Sequence, residues 1–126
     1  MRPKILVVDD EPAIRDTLSF MLEMEGFQVA LAGDGEEALV RVAQDPPHVV
    51  LLDVMMPKVD GYRVCEVIKT NPRTAGVKVV ILTAMGQAAD RTKALAAGAD
   101  AYVAKPFDED TLLALLRQLV GDPGHA

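Results

Sequence analysis

Four places in the chain carry side chains able to hold a cation or an anion, and each follows an apolar run. Asp9, Asp10 and Glu11 follow Ile5–Val8, and Asp53 follows Val49–Leu52 in "VVLLDVMMPKVDGY". Thr83 closes the run in "VVILTAMG", and Lys105 closes the one in "AYVAKPF". Each has an ordinary explanation taken alone: a helix-capping acid, a turn acid, a strand-end β-branched residue, a solvated lysine. Three acids side by side are costly, since two carboxylates about 5 Å apart repel by roughly 3 kcal/mol at an effective dielectric near 20. A hard divalent cation offsets that cost. Mg²⁺ takes one or two carboxylates and leaves its other positions to water or phosphate oxygens. Beside it a carboxylate can act as a nucleophile and become an acyl phosphate. A lysine can then pair with the phosphate, and a hydroxyl can donate to it.

Such chemistry needs the four places to meet, and the apolar pattern provides for it. Short β-branched runs at 5–8, 27–31, 49–52, 77–82 and 101–103 predict strands. The third and fourth are nearly continuous in apolar residues, as in strands buried on both faces of a parallel sheet. Helical spacing lies between them. Ile14, Leu18, Met21 and Leu22 form one helical face that ends at Gly26. A second helix starts after "GDG" and ends at "DPP"; a third carries Val64, Val67 and Ile68, with Asp60 as its cap. The Ala-rich stretch 88–97 stops at Gly98, and Leu112, Leu115, Leu116 and Leu119 mark a fifth helix with Asp108 before it. Five strand–helix units predict an α/β fold, a five-stranded parallel sheet covered by helices on both sides. Ligands of such sheets bind at the carboxyl ends of the strands, where the four places fall.

Composition narrows the partners. The 126 residues suit one domain, read as 1–121 with 122–126, in the polar tail "GDPGHA", as a disordered tail or the start of a linker. A net charge of −6 argues against binding nucleic acid or an anionic membrane through this segment. One cysteine, Cys65, excludes an internal disulfide and suits a reducing cytosol; it reads as a small core residue on a helix. No stretch approaches the ~20 apolar residues of a membrane span, and the N-terminal apolar run is too short for a signal peptide. His48, at the opening of the third strand, reads as structural, and neither it nor His125 lies on a helical pattern.

Taken in order, "VVDDE", "LLDVMMPKVDGY", "ILTA" and "GADAYVAKPF" closely resemble the receiver domain of bacterial response regulators, the single-domain chemotaxis type included. The resemblance runs from about Lys4 to Val120. It implies a doubly wound, flavodoxin-like sheet in the order 2-1-3-4-5, an order the family is known for. It implies that Asp53 accepts a phosphoryl group from a histidine kinase or histidine phosphotransfer protein. Asp10 would bind Mg²⁺ directly, Asp9 would orient a water on it, and the Met55 carbonyl would complete the protein's ligands along with Asp53. Thr83 would be the switch hydroxyl, with small Ala84 leaving it room, and Tyr102 the aromatic that follows it inward. Lys105 would pair with the phosphate, and Pro106 after it suggests a cis peptide. Met55 and Met85 occupy positions that tune phosphate lifetime in the family. The signalling surface would be the fourth helix, fifth strand and fifth helix, read by a downstream protein or a fused output domain. Phosphorylation-dependent homodimer formation is left open, as is whether the chain stands alone or begins a longer regulator.

Two other readings compete. "GDGEEA", Gly33–Ala38, matches a G-x-G-x-x-A dinucleotide fingerprint, but it follows the second strand and its acids would repel a pyrophosphate. A tight turn feeding a helix is the preferred reading. A Mg²⁺-dependent phosphatase with an aspartyl nucleophile would need an acid two residues after Asp53, where Met55 stands. The expectation is therefore a phosphoacceptor with slow self-dephosphorylation at most, not an enzyme.

Overall fold

Strand and helix alternate from end to end: β1 (Lys4–Val8), α1 (Pro12–Met24), β2 (Gln28–Ala32), α2 (Gly35–Gln44), β3 (Val49–Asp53), α3 (Gly61–Thr70), β4 (Lys78–Thr83), α4 (Ala88–Ala96), β5 (Ala101–Ala104) and α5 (Glu109–Val120). The computed structural model describes residues 2–54, 60–83, 88–104 and 107–120. The strands form one sheet in the order β2-β1-β3-β4-β5, with every neighbouring pair parallel. This is the doubly wound α/β architecture expected from the strand–helix alternation and, for its order, from the family resemblance.

The central strands have no polar face because both of their faces are covered. Successive side chains point to opposite sides of a sheet. Ile5, Val7, Val49 and Leu51 join Leu18 and Leu22 of α1 and Leu112 and Leu116 of α5 in one core. Leu6, Val8, Val50 and Leu52 join Val42 of α2 and Val64, Cys65 and Ile68 of α3 in the other. The helices thus read alternate residues of the same five-residue strands.

β2 and β4 each start one residue later than the sequence expectation, and hydrogen bonds explain both. Phe27 was expected to open β2. Its N–H instead reaches back to the Leu22 carbonyl and closes the last turn of α1 around Gly26, whose φ is 94°. Val77 likewise donates to Thr74 in a turn, so β4 starts at Lys78. Gly98, with φ 88°, ends α4 as expected. Ala99 donates to Ala94 around it in the same six-residue closure. α2 begins at Gly35, inside the "GDG" turn, with the Asp34 side chain accepting from the Glu37 N–H. His48 is structural, as expected: its Nδ1 accepts from the Lys4 N–H at 3.0 Å.

At the amino end of the sheet one ion pair ties three segments together. The Lys69 Nζ donates to the carbonyls of Ala75 and Val77 and to Oδ2 of Asp100, all at 3.0–3.1 Å. The same Asp100 oxygen accepts from the Val79 N–H at 2.8 Å. Asp100 immediately precedes β5, so the clamp sets where that strand starts.

Cys65 is fully buried on α3, and its Sγ lies 3.4 Å from the Ala97 carbonyl. Burial pushes its thiol up to about 11, against a partial pull downward from Lys69. The unfolded chain loses this proton from about pH 9, whereas the folded chain holds it to about pH 11. Stability from this group is therefore complete below pH 9 and is lost as pH rises from 9 to 11. Cys65→Ala should flatten that part of a stability–pH profile measured by urea melts; an identical slope in both proteins would refute the assignment. Leu51→Ala, at a position with no exposure, should cost about 2–5 kcal/mol and shift the urea midpoint with an unchanged m value.

Candidate functional site

The register of β1 against β3 pairs Val8 with Leu52. One step further, Asp9 and Asp53 emerge side by side at the carboxyl edge. Backbone bonds hold both steps, since Asp9 N–H donates to Ala32 O at 3.2 Å and Val54 N–H to Leu82 O at 3.3 Å. The carboxylate oxygens of Asp9, Asp10 and Asp53 come within 4.8 Å of one another. Asp9 has no exposure and Asp53 only 5%, whereas Asp10 faces solvent. Glu11 does not join this group. It stands at the N-cap of α1 with no capping bond from its side chain, and its N–H donates to the Asp9 Oδ1 at 2.9 Å. Pro12 then opens the helix at a position where a missing N–H costs nothing.

α3 approaches the site from the other side. The Asp60 side chain caps it, accepting from the Tyr62 N–H at 2.8 Å, as its sequence position predicts. Gly61 then lies so close to β3 that a Cβ would sit 2.6 Å from the Val54 Cα and 2.9 Å from the Asp53 carbonyl oxygen. Only glycine lets this helix start directly against the Asp53 backbone. The cap at Asp60 is legible in the sequence and this contact is not; a glycine at the first helical position, where propensity disfavours it, is the available signal.

Thr83 is the last residue of β4 and is buried at 3% exposure. Its neighbour Leu82 pairs with Asp53 across the two strands. Tyr102 pairs with Ile81 and packs, half-buried, against the core shared with α2 and α3. Strand alternation puts Thr83 on the same side as Ile81, so Thr83 and Tyr102 share one face of the sheet. Lys105 and Met55 lie outside the described residues, as do Ala84, Met85 and Pro106.

The acids suit a hard cation. All three donors are carboxylate oxygens, and at about 5 Å each charged pair repels by roughly 3 kcal/mol. Direct ligands of one octahedral Mg²⁺ lie at most about 4.2 Å apart, twice its bond length. Oxygens within 4.8 Å of one another can converge on one such cation, directly or through a water.

A parallel α/β sheet with acids meeting at its carboxyl edge, a buried hydroxyl one strand over, and helices on both faces defines a doubly wound class whose ligands bind at that edge. The comparisons narrow that class. The model of the response regulator receiver domain matches residues 5–117, and the chain belongs to that family, the receivers of two-component signalling. It is 44% identical over 118 residues to the DNA-binding dual master transcriptional regulator RpaA of a Synechocystis species, covering 94% of this chain and 49% of that protein. It is 44% identical over 117 residues to the DNA-binding response regulator MtrA of Mycolicibacterium smegmatis, covering 93% and 50%. The chain thus spans about half the length of these curated relatives. Among solved structures, the chemotaxis protein CheY4 of Vibrio cholerae superposes with a TM-score of 0.89 at 29% identity, covering 95% of this chain and all of that one. Receiver domains are generally not enzymes in the ordinary sense, and no helix among the described residues is long and apolar enough to cross a membrane.

Removing one exposed acid should have opposite effects with and without the cation. Asp10→Asn should raise the melting temperature in EDTA, because repulsion is relieved, and should abolish the rise that Mg²⁺ brings. In the wild type, free Mg²⁺ at 100 times its Kd should add about 2.7 kcal/mol, several degrees in a thermal melt. Equal Mg²⁺ responses in the two proteins would count against the site.

Proposed function

We propose that this chain is a phosphoacceptor switch in which Asp53 takes a phosphoryl group from the phosphohistidine of a histidine kinase or a histidine phosphotransfer protein. The observation that carries the reading is the meeting of the Asp9, Asp10 and Asp53 carboxylates within 4.8 Å at the carboxyl edge. An Asp53 oxygen attacks phosphorus, the N–P bond breaks, and the imidazole leaves with the electron pair, forming an acyl phosphate. Asp10, Asp53 and the Met55 carbonyl would hold Mg²⁺ directly, and Asp9 through a water. When bound, Mg²⁺ supplies charge that draws in the phosphoryl donor and screens the product.

Lys105 would pair with the new phosphate, and Thr83 would donate its hydroxyl proton to a phosphate oxygen. Tyr102, on the face shared with Thr83, would move inward as that hydroxyl moves. Both residues would bias a pre-existing equilibrium between two arrangements of α4, β5 and α5. That surface offers Leu95 at 62% exposure and an open groove beside Tyr102, Phe107 and Leu115. It would pass the signal to a fused output domain or a separate protein in the cytoplasm, or to a second copy of the chain. Met55 places no acid two residues after Asp53, so hydrolysis of the acyl phosphate would be slow self-dephosphorylation. The domain itself would span 1–121, with 122–126 as a tail or linker start, and with its charge of −6 it would touch no nucleic acid.

Labelled phosphohistidine donor with Mg²⁺ should place label on the Asp53 peptide of the wild type. Asp53→Asn should take none there, and EDTA should suppress labelling. Label persisting on that peptide in Asp53→Asn, or a wild type that stays unlabelled with Mg²⁺ present, would refute the reading.

A further inference from the structure

We propose that Arg15 is a positioning residue for the acid site, acting through the backbone of Asp9 and seated over the bare Cα of Gly33. The inference rests on the cation-binding reading above and adds residues that this reading does not use. Arg15, in the first turns of α1, sends Nη1 back to the Asp9 carbonyl at 2.7 Å. That bond crosses the turn that holds Asp10 and Glu11. The N–H of Asp9 is thus held by Ala32, its Oδ1 by the Glu11 N–H, and its carbonyl by Arg15.

Gly33 makes room for the guanidinium. A Cβ there would stand 2.9 Å from Arg15 Nη1 and 3.8 Å from its Cζ, with the Glu37 carboxylate 3.9 Å away on the same side. The Gly33 backbone does not need glycine for its own conformation, since Gly26 and Gly98 are the positive-φ glycines of the described residues. Space for Arg15 is the requirement. The first glycine of "GDG" therefore serves the site, beyond turning the chain into α2. A planar guanidinium fits this slot and donates along its edge; a lysine would offer a point charge on a flexible stem.

Charge and positioning act here in opposite directions. A cation beside the acids repels Mg²⁺, so if its charge alone mattered, removing Arg15 would tighten Mg²⁺ binding. If Arg15 holds the acids in place, removing it weakens binding despite the lost repulsion. Outer contacts that orient metal ligands are typically worth 10–100-fold in affinity. We expect Arg15→Met to weaken Mg²⁺ binding about tenfold. Gly33→Ala keeps the arginine and its charge but displaces the guanidinium, and should weaken binding in the same direction.

The experiment is calorimetric titration of MgCl₂ at constant ionic strength into wild type, Arg15→Met and Gly33→Ala, each checked for native circular dichroism. Weaker binding in both variants supports the proposal. Equal or tighter binding in Arg15→Met, or wild-type binding in Gly33→Ala, overturns it while leaving the cation site standing. A wild type that takes up no Mg²⁺ overturns both. If Arg15→Met does not fold, Gly33→Ala decides alone, because the atom its Cβ meets is the far end of a flexible side chain.

Discussion

Mutual repulsion among carboxylates at one edge of the sheet is the constraint around which the rest of this molecule is organised. Asp9 and Asp53 are almost without exposure, so water does little to screen them from each other. A flexible chain would let such groups drift apart. Here β1 and β3 are hydrogen-bonded neighbours in a register that delivers both acids to the same level. Their preceding four residues are buried on both faces, which fixes the strands against sliding. A slip of one residue would exchange the two cores and drive every side chain to the wrong side. The apolar runs are what hold the acids together against their charge.

The two faces of the sheet divide the labour. Asp9 and Asp53 continue the alternation of Val7 and Leu51, which belong to the core under α1 and α5. Thr83 and Tyr102 belong to the alternation that serves the opposite core. Between them stands β4, with Leu82 paired to Asp53 and Thr83 next in line. The charge proposed to be added at Asp53 would therefore lie one strand from a buried hydroxyl that faces the other layer of helices. That arrangement is compatible with the proposed roles of Thr83 and Tyr102.

Much of this was legible in the residues, for definite physical reasons. Fully buried parallel strands write themselves as apolar, β-branched runs, so Val49–Leu52 and Val77–Leu82 were plain. Acids placed directly after such runs can fall only at the carboxyl edge, so Asp9, Asp10 and Asp53 could be grouped before any coordinates. Periodicity could not separate Glu11 from its neighbours: the chain turns into α1 there, and Glu11 meets the Asp9 carboxylate through its backbone N–H rather than its side chain. Nor could it show Arg15 over Gly33 or Gly61 against Val54. Those contacts join loops that follow different strands, and nothing in a local pattern records which atoms will lie 3 Å apart. Strand order was legible through the family resemblance and not through alternation, which permits several orders.

The distribution of buried volume also bears on which helix could shift. α5 is anchored by Leu112, Leu113 and Leu116, each worth about 1.5–3 kcal/mol when buried. Among the described side chains of α4, residues 91–96, Ala94 is the buried one and Leu95 stands 62% exposed, with buried Ala97 just beyond the helix. Alanine contributes a single methyl, so residues 91–96 hold the sheet through little apolar contact. Its carboxyl end behaves differently: Gly98 turns the chain over the Lys69 stem, and Lys69 and Asp100 fix the entry to β5. The proposed signalling surface is thus held to the sheet by large buried side chains on α5 and by a single methyl on the described half of α4.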